Sequence, residues 1–141
     1  MDPQEKGANI EIHGGEIKAE AGDEFSGIFV RSASLKVYGG KLTVEAGGTS
    51  IFSNGIEVYG GEVDATSTTS SGIYCSPSPL IVYGGKVKGT GASENRGFIG
   101  NVQSGTEDIK FYFSDDNSNW GDGNSYASPT EAIGKRYAKA E

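Results

Sequence analysis

The residues best placed to meet a ligand are rings. His13, Tyr38, Tyr59, Tyr83 and Tyr112 each follow an apolar-x-apolar triplet, and the first four stand directly before a Gly-Gly pair. Side chains alternate across a strand, so a residue next to a buried one points outward. Stacked at the ~4.8 Å strand spacing, the five rings would form a surface strip about 20 Å long. Sugar rings pack their C–H faces on aromatic faces, and flanking Glu and Lys would reach the hydroxyls, so the strip is a candidate carbohydrate platform. The same column has a second reading, in which stacked Tyr side chains stabilise neighbouring strands and bind nothing. A second aromatic column, Phe29, Phe52 and Tyr74, adjoins apolar residues and is expected to pack at a corner.

Little else in the chain points to catalysis. His13 is the sole histidine and occupies a Tyr position, so the many Ser and Thr residues lack a base for a nucleophilic triad. Cys75 is the sole cysteine, stands at a turn before Ser76-Pro77 without a nearby base, and reads as a structural thiol. One Cys and one His cannot make a zinc site. No cofactor is expected, with calcium the one metal to weigh. The stretch Asp115-Asp116-Asn117-Ser118-Asn119-Trp120-Gly121-Asp122-Gly123-Asn124 spaces oxygen ligands closely. However, Trp120 stands where an EF-hand loop needs Gly and Tyr126 where it needs Glu, so a solvated turn is the simpler reading.

These residues must be positioned by a repeat. Ile10-Glu11-Ile12-His13-Gly14-Gly15-Glu16-Ile17, Leu35-Lys36-Val37-Tyr38-Gly39-Gly40-Lys41-Leu42, Ile56-Glu57-Val58-Tyr59-Gly60-Gly61-Glu62-Val63 and Leu80-Ile81-Val82-Tyr83-Gly84-Gly85-Lys86-Val87 align without gaps. Ile109-Lys110-Phe111-Tyr112 reads as a fifth copy that lacks the glycines. Each repeat holds two short strands around a glycine corner, and later a third apolar spot: Ile28, Ile51, Ile73 and Phe98. Three strands and three corners describe one triangular coil. The predicted fold is therefore all-β, a right-handed parallel β-helix of about five coils with an irregular C-terminal cap. The organisation expected is a polar lead over residues 1–9 that reads as a truncation point, solenoid repeats over 10–113, and a cap over 114–141. In the cap, Trp120 or Phe113 would cover the last core layer, and Arg136 to Ala140 alternates like one last strand. The N-terminal edge has no comparable cap and is expected to meet missing coils or another protomer.

Composition narrows the partners. A formal charge of −7, with twelve Lys and Arg and no basic run, excludes a nucleic-acid surface. No apolar stretch is long enough to span a membrane as a helix. Residues Met1 to Gly7 lack the apolar core of a signal peptide, so the chain reads as cytoplasmic or as a piece of a longer secreted protein. Outward columns such as Glu16, Lys41, Glu62, Lys86 alternate in sign, which would disfavour slipped registers.

The repeat core hydrophobic-x-hydrophobic-x-Gly-Gly-x-hydrophobic, with Ser26-Gly27-Ile28 and Ser71-Gly72-Ile73 following it, resembles a family of secreted or surface bacterial β-helix proteins labelled carbohydrate-binding domain-containing. The likeness covers about residues 9–113. It implies an extracellular or cell-surface setting and a non-catalytic role. In one branch it implies calcium-dependent binding of acidic plant polysaccharide, but no binding residues carry over, and Tyr replaces a small polar residue found in many family coils. The leading expectation is a non-catalytic carbohydrate-binding module whose partner is a polysaccharide. The alternatives are a purely structural solenoid stalk or adhesin spacer and, more distantly, a polysaccharide lyase remnant.

Overall fold

The computed structural model describes residues 9–93, 96–118, 120, 130–131 and 136–141. Among them every regular element is a β-strand, and no helix is long and apolar enough to cross a membrane. The first coil comprises β1 (Asn9–Ile12), β2 (Glu16–Ala21) and β3 (Ile28–Val30), and the second β4 (Ser34–Val37), β5 (Lys41–Ala46) and β6 (Ile51–Ser53). The third has β7 (Ile56–Val58), β8 (Glu62–Ser67) and the first part of β9 (Ile73–Val82). The rest of β9 opens the fourth coil, which continues through β10 (Lys86–Thr90) into β11 (Phe98–Ser104). Strands of successive coils pair in parallel, so the fold is a parallel β-helix of about four turns.

Register follows the apolar alternation. Ile10, Leu35, Ile56, Leu80 and Val102 lie in one row, and Ile28, Ile51, Ile73 and Phe98 in another. A third row, Ile17, Leu42, Val63 and Val87, continues through Ala140 to Phe111. Above the first coil these side chains are almost wholly withdrawn from water, Leu42 and Ile51 completely. Each such burial contributes about 1.5–3 kcal/mol, available only because the next coil covers it. The unequal repeat lengths arise at the other two corners, because the eight-residue stretch across the Gly-Gly corner, Ile10 to Ile17 and its equivalents, is constant.

The two glycines of each corner are needed for different reasons. The second adopts φ between 78° and 84° at Gly15, Gly40, Gly61 and Gly85, a region that costs other residues about 1–2 kcal/mol. The first lies against the coil below, where a Cβ on Gly60 would stand 2.8 Å from the Tyr38 carbonyl oxygen. Hydrogen bonds cross the corner from coil to coil, Tyr59 N–H donating to Val37 O at 2.7 Å and Glu62 N–H to Gly40 O at 2.9 Å.

The fifth copy of the repeat is not a fifth coil. The row above Leu80-Ile81-Val82 is Val102-Gln103-Ser104. Ile109 follows Leu80 by 29 residues, outside the 21–25 residue spacing of the glycine pairs, whereas Val102 follows it by 22. Residues Phe111–Ser114 instead form β12, which pairs antiparallel with β14 (Tyr137–Ala140), itself antiparallel to β10. A two-residue strand, β13 (Thr130–Glu131), runs antiparallel to β11. Alternation in Arg136–Ala140 does mark a strand, and its Ala138 and Ala140 are fully buried. Small residues are required there because Phe98 fills the layer beneath, edge-on to Phe111 and Phe113. Phe113 thus packs against the core, as expected of a covering residue. Trp120 lies instead against Lys139, whose Nζ is 4.5 Å from the indole centroid.

Candidate functional site

Four of the five predicted rings form one ladder. His13, Tyr38, Tyr59 and Tyr83 emerge at the end of β1, β4, β7 and β9, where the strand alternation turns them outward beside the glycine corner. Their centroids are separated by 4.7, 4.9 and 4.7 Å, with interplanar angles of 5°, 6° and 2°. Tyr112 is elsewhere, on β12, with Lys139 Nζ 5.2 Å from its ring centroid. The row above Tyr83 holds Gly105, whose N–H donates to Val82 O, and a Cβ there would stand 2.3 Å from the Tyr83 ring. The ladder therefore ends at Tyr83.

This geometry changes what the ladder can do. Rings at van der Waals separation and nearly parallel cover each other's π-faces, so Tyr38 and Tyr59 present edges and phenol hydroxyls to solvent. A sugar stacking by C–H/π contact needs a free face, and the interior rungs supply none. On these rungs only the ring edges and hydroxyls are left to meet a ligand. Lys36 Nζ is 3.4 Å from Glu57 Oε2 in the neighbouring column, and this contact raises the lysine pKa. Tyr59 titrates above its ordinary value, with partial burial the largest cause and the Glu57 carboxylate the next. At the open end His13 Nε2 and Glu11 Oε1 are 3.0 Å apart, both exposed.

Phe29, Phe52 and Tyr74 do not pack into a corner. They point outward from β3, β6 and β9 as a second stacked ladder, with centroids 5.0 and 4.9 Å apart. Phe29, its terminal rung, is 58% exposed. The corner positions are taken by small polar residues, which apolar periodicity alone does not reveal. Ser53 and Ser67 are buried, and their hydroxyls donate to Gly55 O at 2.8 Å and Gly48 O at 2.7 Å. Ser50 donates to Thr66 O in the same way.

One charged feature departs from the alternation. Glu16, Lys41, Glu62 and Lys86 are in register as expected, but Glu20 and Glu45 are direct neighbours on β2 and β5. With Asp23, Gly47, Thr66 and Thr68 they line an open groove of about 310 Å³. Lys18 Nζ, 3.1 Å from Glu20 Oε1, offsets part of this charge, and both glutamates raise its pKa.

No group of three or more His, Cys, Asp or Glu side chains among the described residues is arranged to hold a metal. Of the Asp115–Asn124 stretch weighed as a calcium loop, Asn119 and residues 121–124 lie outside the described residues. In the described part, Asp116 Oδ1 accepts from Ser114 Oγ at 3.0 Å and from Ser118 N–H at 2.9 Å, closing a turn. Cys75 is buried in the core, its thiol donates to Ser78 O at 3.2 Å, and burial pushes its pKa up to about 12. Comparison with protein-family models, curated proteins and solved structures finds no match.

Proposed function

We propose that the chain is a structural β-solenoid module, a rigid stalk or spacer segment whose aromatic ladders hold coil to coil. The observation that carries this reading is the stacking itself. On the interior rungs of both ladders, Tyr38, Tyr59 and Phe52, both ring faces are occupied by neighbouring rings. Cross-strand aromatic pairs stabilise sheets, and two ladders on different faces of one stack brace it against bending and slippage. The setting implied by the family resemblance, a secreted or surface protein, suits a spacer, and so does a non-catalytic role.

Carbohydrate binding remains a second reading with one observation in its favour. The hydroxyl edges of Tyr38 and Tyr59, 38% and 39% exposed, run beside Lys36 and Glu57. A polysaccharide lying along the stack would there be held by hydrogen bonds, without ring stacking. Affinity electrophoresis through gels containing polygalacturonate, xylan or neutral glucans, each with calcium and with EDTA, separates the two readings. Uniform mobility across the panel is the outcome for a spacer. Retardation in one gel, abolished by Tyr38→Phe with Tyr59→Phe, would replace it with the hydroxyl-row binder.

A further inference from the structure

We infer that one side of the solenoid, formed by β3, β6 and the parts of β9 and β11 in line with them, is a self-association face on which a second copy of this chain packs. The row Phe29, Phe52, Tyr74 and Ile99 runs down the middle of this side. Each follows a member of the inward row Ile28, Ile51, Ile73 and Phe98, so strand alternation turns it outward. Phe29 is exposed and the other three are half-buried. Three strand spacings make this an apolar stripe about 14 Å long. It lies along the side of the stack and not across an end.

The charges around the stripe point to its occupant. In the second and third coils the flanking corners carry no charged residue, neither before the strands (47–50 and 68–71) nor after them (54–55 and 76–79). Among the described residues, charge is confined to the first and fourth coils. Asp23 and Glu24 precede β3, Arg31 follows it, and Arg96 precedes β11; all are exposed, and none is in an ion pair with another described residue. Aromatic side chains at the centre with charge, arginine included, at the margin match the core and rim of an interface. A second copy can meet this side about a two-fold axis in two ways. With the coils running the same way, the corner before β3 meets the corner after it. Glu24 then faces Arg31 of the second copy, twice over, and Phe52 packs on Phe52. With the coils opposed, the first coil meets the fourth, so Glu24 faces Arg96 of the second copy and Phe52 packs on Tyr74. The acidic corner meets an arginine in both, and Phe25, 72% exposed at that corner, adds apolar contact. Four central side chains make a smaller contact than the ~800 Å² per partner of a stable complex, so the association is weak.

Sedimentation equilibrium of the full chain from about 10 µM to about 1 mM, where small interfaces act, tests this. The expected result is a weight-average mass that rises from 14.7 kDa toward twice that value. Phe29→Ser and Glu24→Lys should each weaken association at least about tenfold while keeping a cooperative melt. Mixing Glu24→Lys in equal amounts with Arg31→Glu should restore the dimer if the coils run the same way, because each variant supplies the charge the other lacks. Mixing it with Arg96→Glu should do so if they are opposed. A wild-type chain that stays monomeric over the whole range overturns the inference, whatever then covers the stripe. So does a dimer that Phe29→Ser leaves unchanged, or restoration in neither mixture. None of these outcomes bears on the spacer reading, which the gel panel tests separately.

Discussion

Tyr59 occupies the middle of its ladder, in contact with Tyr38 on one side and Tyr83 on the other. Tyr59→Ala therefore removes two stacked pairs at once. Aromatic pairs contribute about 0.5–1.5 kcal/mol beyond their burial, and cross-strand pairs in sheets about 0.2–1 kcal/mol, so the two together amount to about 1–2 kcal/mol. The side chain is also more than half covered, and losing that apolar burial adds about 1 kcal/mol. The total, about 2–3 kcal/mol, corresponds to a fall in Tm of roughly 6–10 °C for a chain of this size. His13→Ala, at the exposed end of the same ladder, deletes one pair and should lower Tm by about a third as much. Tyr59→Phe keeps the ring and should change Tm by no more than about 2 °C, since a solvated hydroxyl contributes little. The assay is thermal unfolding followed by far-UV circular dichroism and calorimetry, with urea unfolding as a check on m. A Tyr59→Ala chain melting within about 2 °C of wild type, or no lower than His13→Ala, would refute the claim that stacking holds the coils together.

Three further outcomes follow from the same geometry. Gly61→Ala combines an unfavourable φ of 79° with a Cβ only 2.5 Å from the Gly40 carbonyl oxygen; it should cost at least about 2 kcal/mol and exceed Gly14→Ala, whose Cβ meets open space, in the same melts. Lys41→Glu places three acids in the row with Glu16 and Glu62 and should lower stability at low salt by up to about 1 kcal/mol per opposed pair, seen as a lower Tm that recovers in about 1 M NaCl; a salt-independent loss would point to packing instead. Asp64 has a pKa raised above 3.8, first by burial and against the pull of Lys88 and Lys41. A raised folded pKa means its contribution is most favourable below 3.8 and declines as pH rises through the folded value. Asp64→Asn should accordingly raise Tm at pH 7 and make no difference below that pKa, as a pH series of melts would show.

Which parts of this were legible beforehand depends on the range of the interactions involved. The Gly-Gly corner is visible because both glycines answer to local demands, a positive φ in every repeat and, above the first coil, a carbonyl one coil below. The second aromatic ladder was misplaced because a neighbour in sequence and a neighbour in space differ at a corner. Phe29, Phe52 and Tyr74 follow core residues in the chain yet point the other way, Phe29 exposed and the other two half-buried. The Glu20–Glu45 contact was missed because only the outward columns nearest the glycine corner were compared across coils, and this pair lies further along β2 and β5. Tyr112 matched the motif by residue type, but its 29-residue spacing already set it apart.

By itself, the sequence determined the strand, the corner and the row, because period-two alternation and repeated glycines are local constraints that each coil restates. It thereby determined a parallel β-helix and the in-register ladders of His13, Tyr38, Tyr59 and Tyr83. The tertiary structure alone decided where the repeat stops. Once Phe98 fills the last layer, only a strand with alternating alanines, Tyr137–Ala140, can lie across it, and β12 is carried into the other sheet. It alone also set how the tyrosines lie on one another. Rings set 4.7–4.9 Å apart by the strand spacing must lie face to face, and faces spent on one another are not open to a sugar.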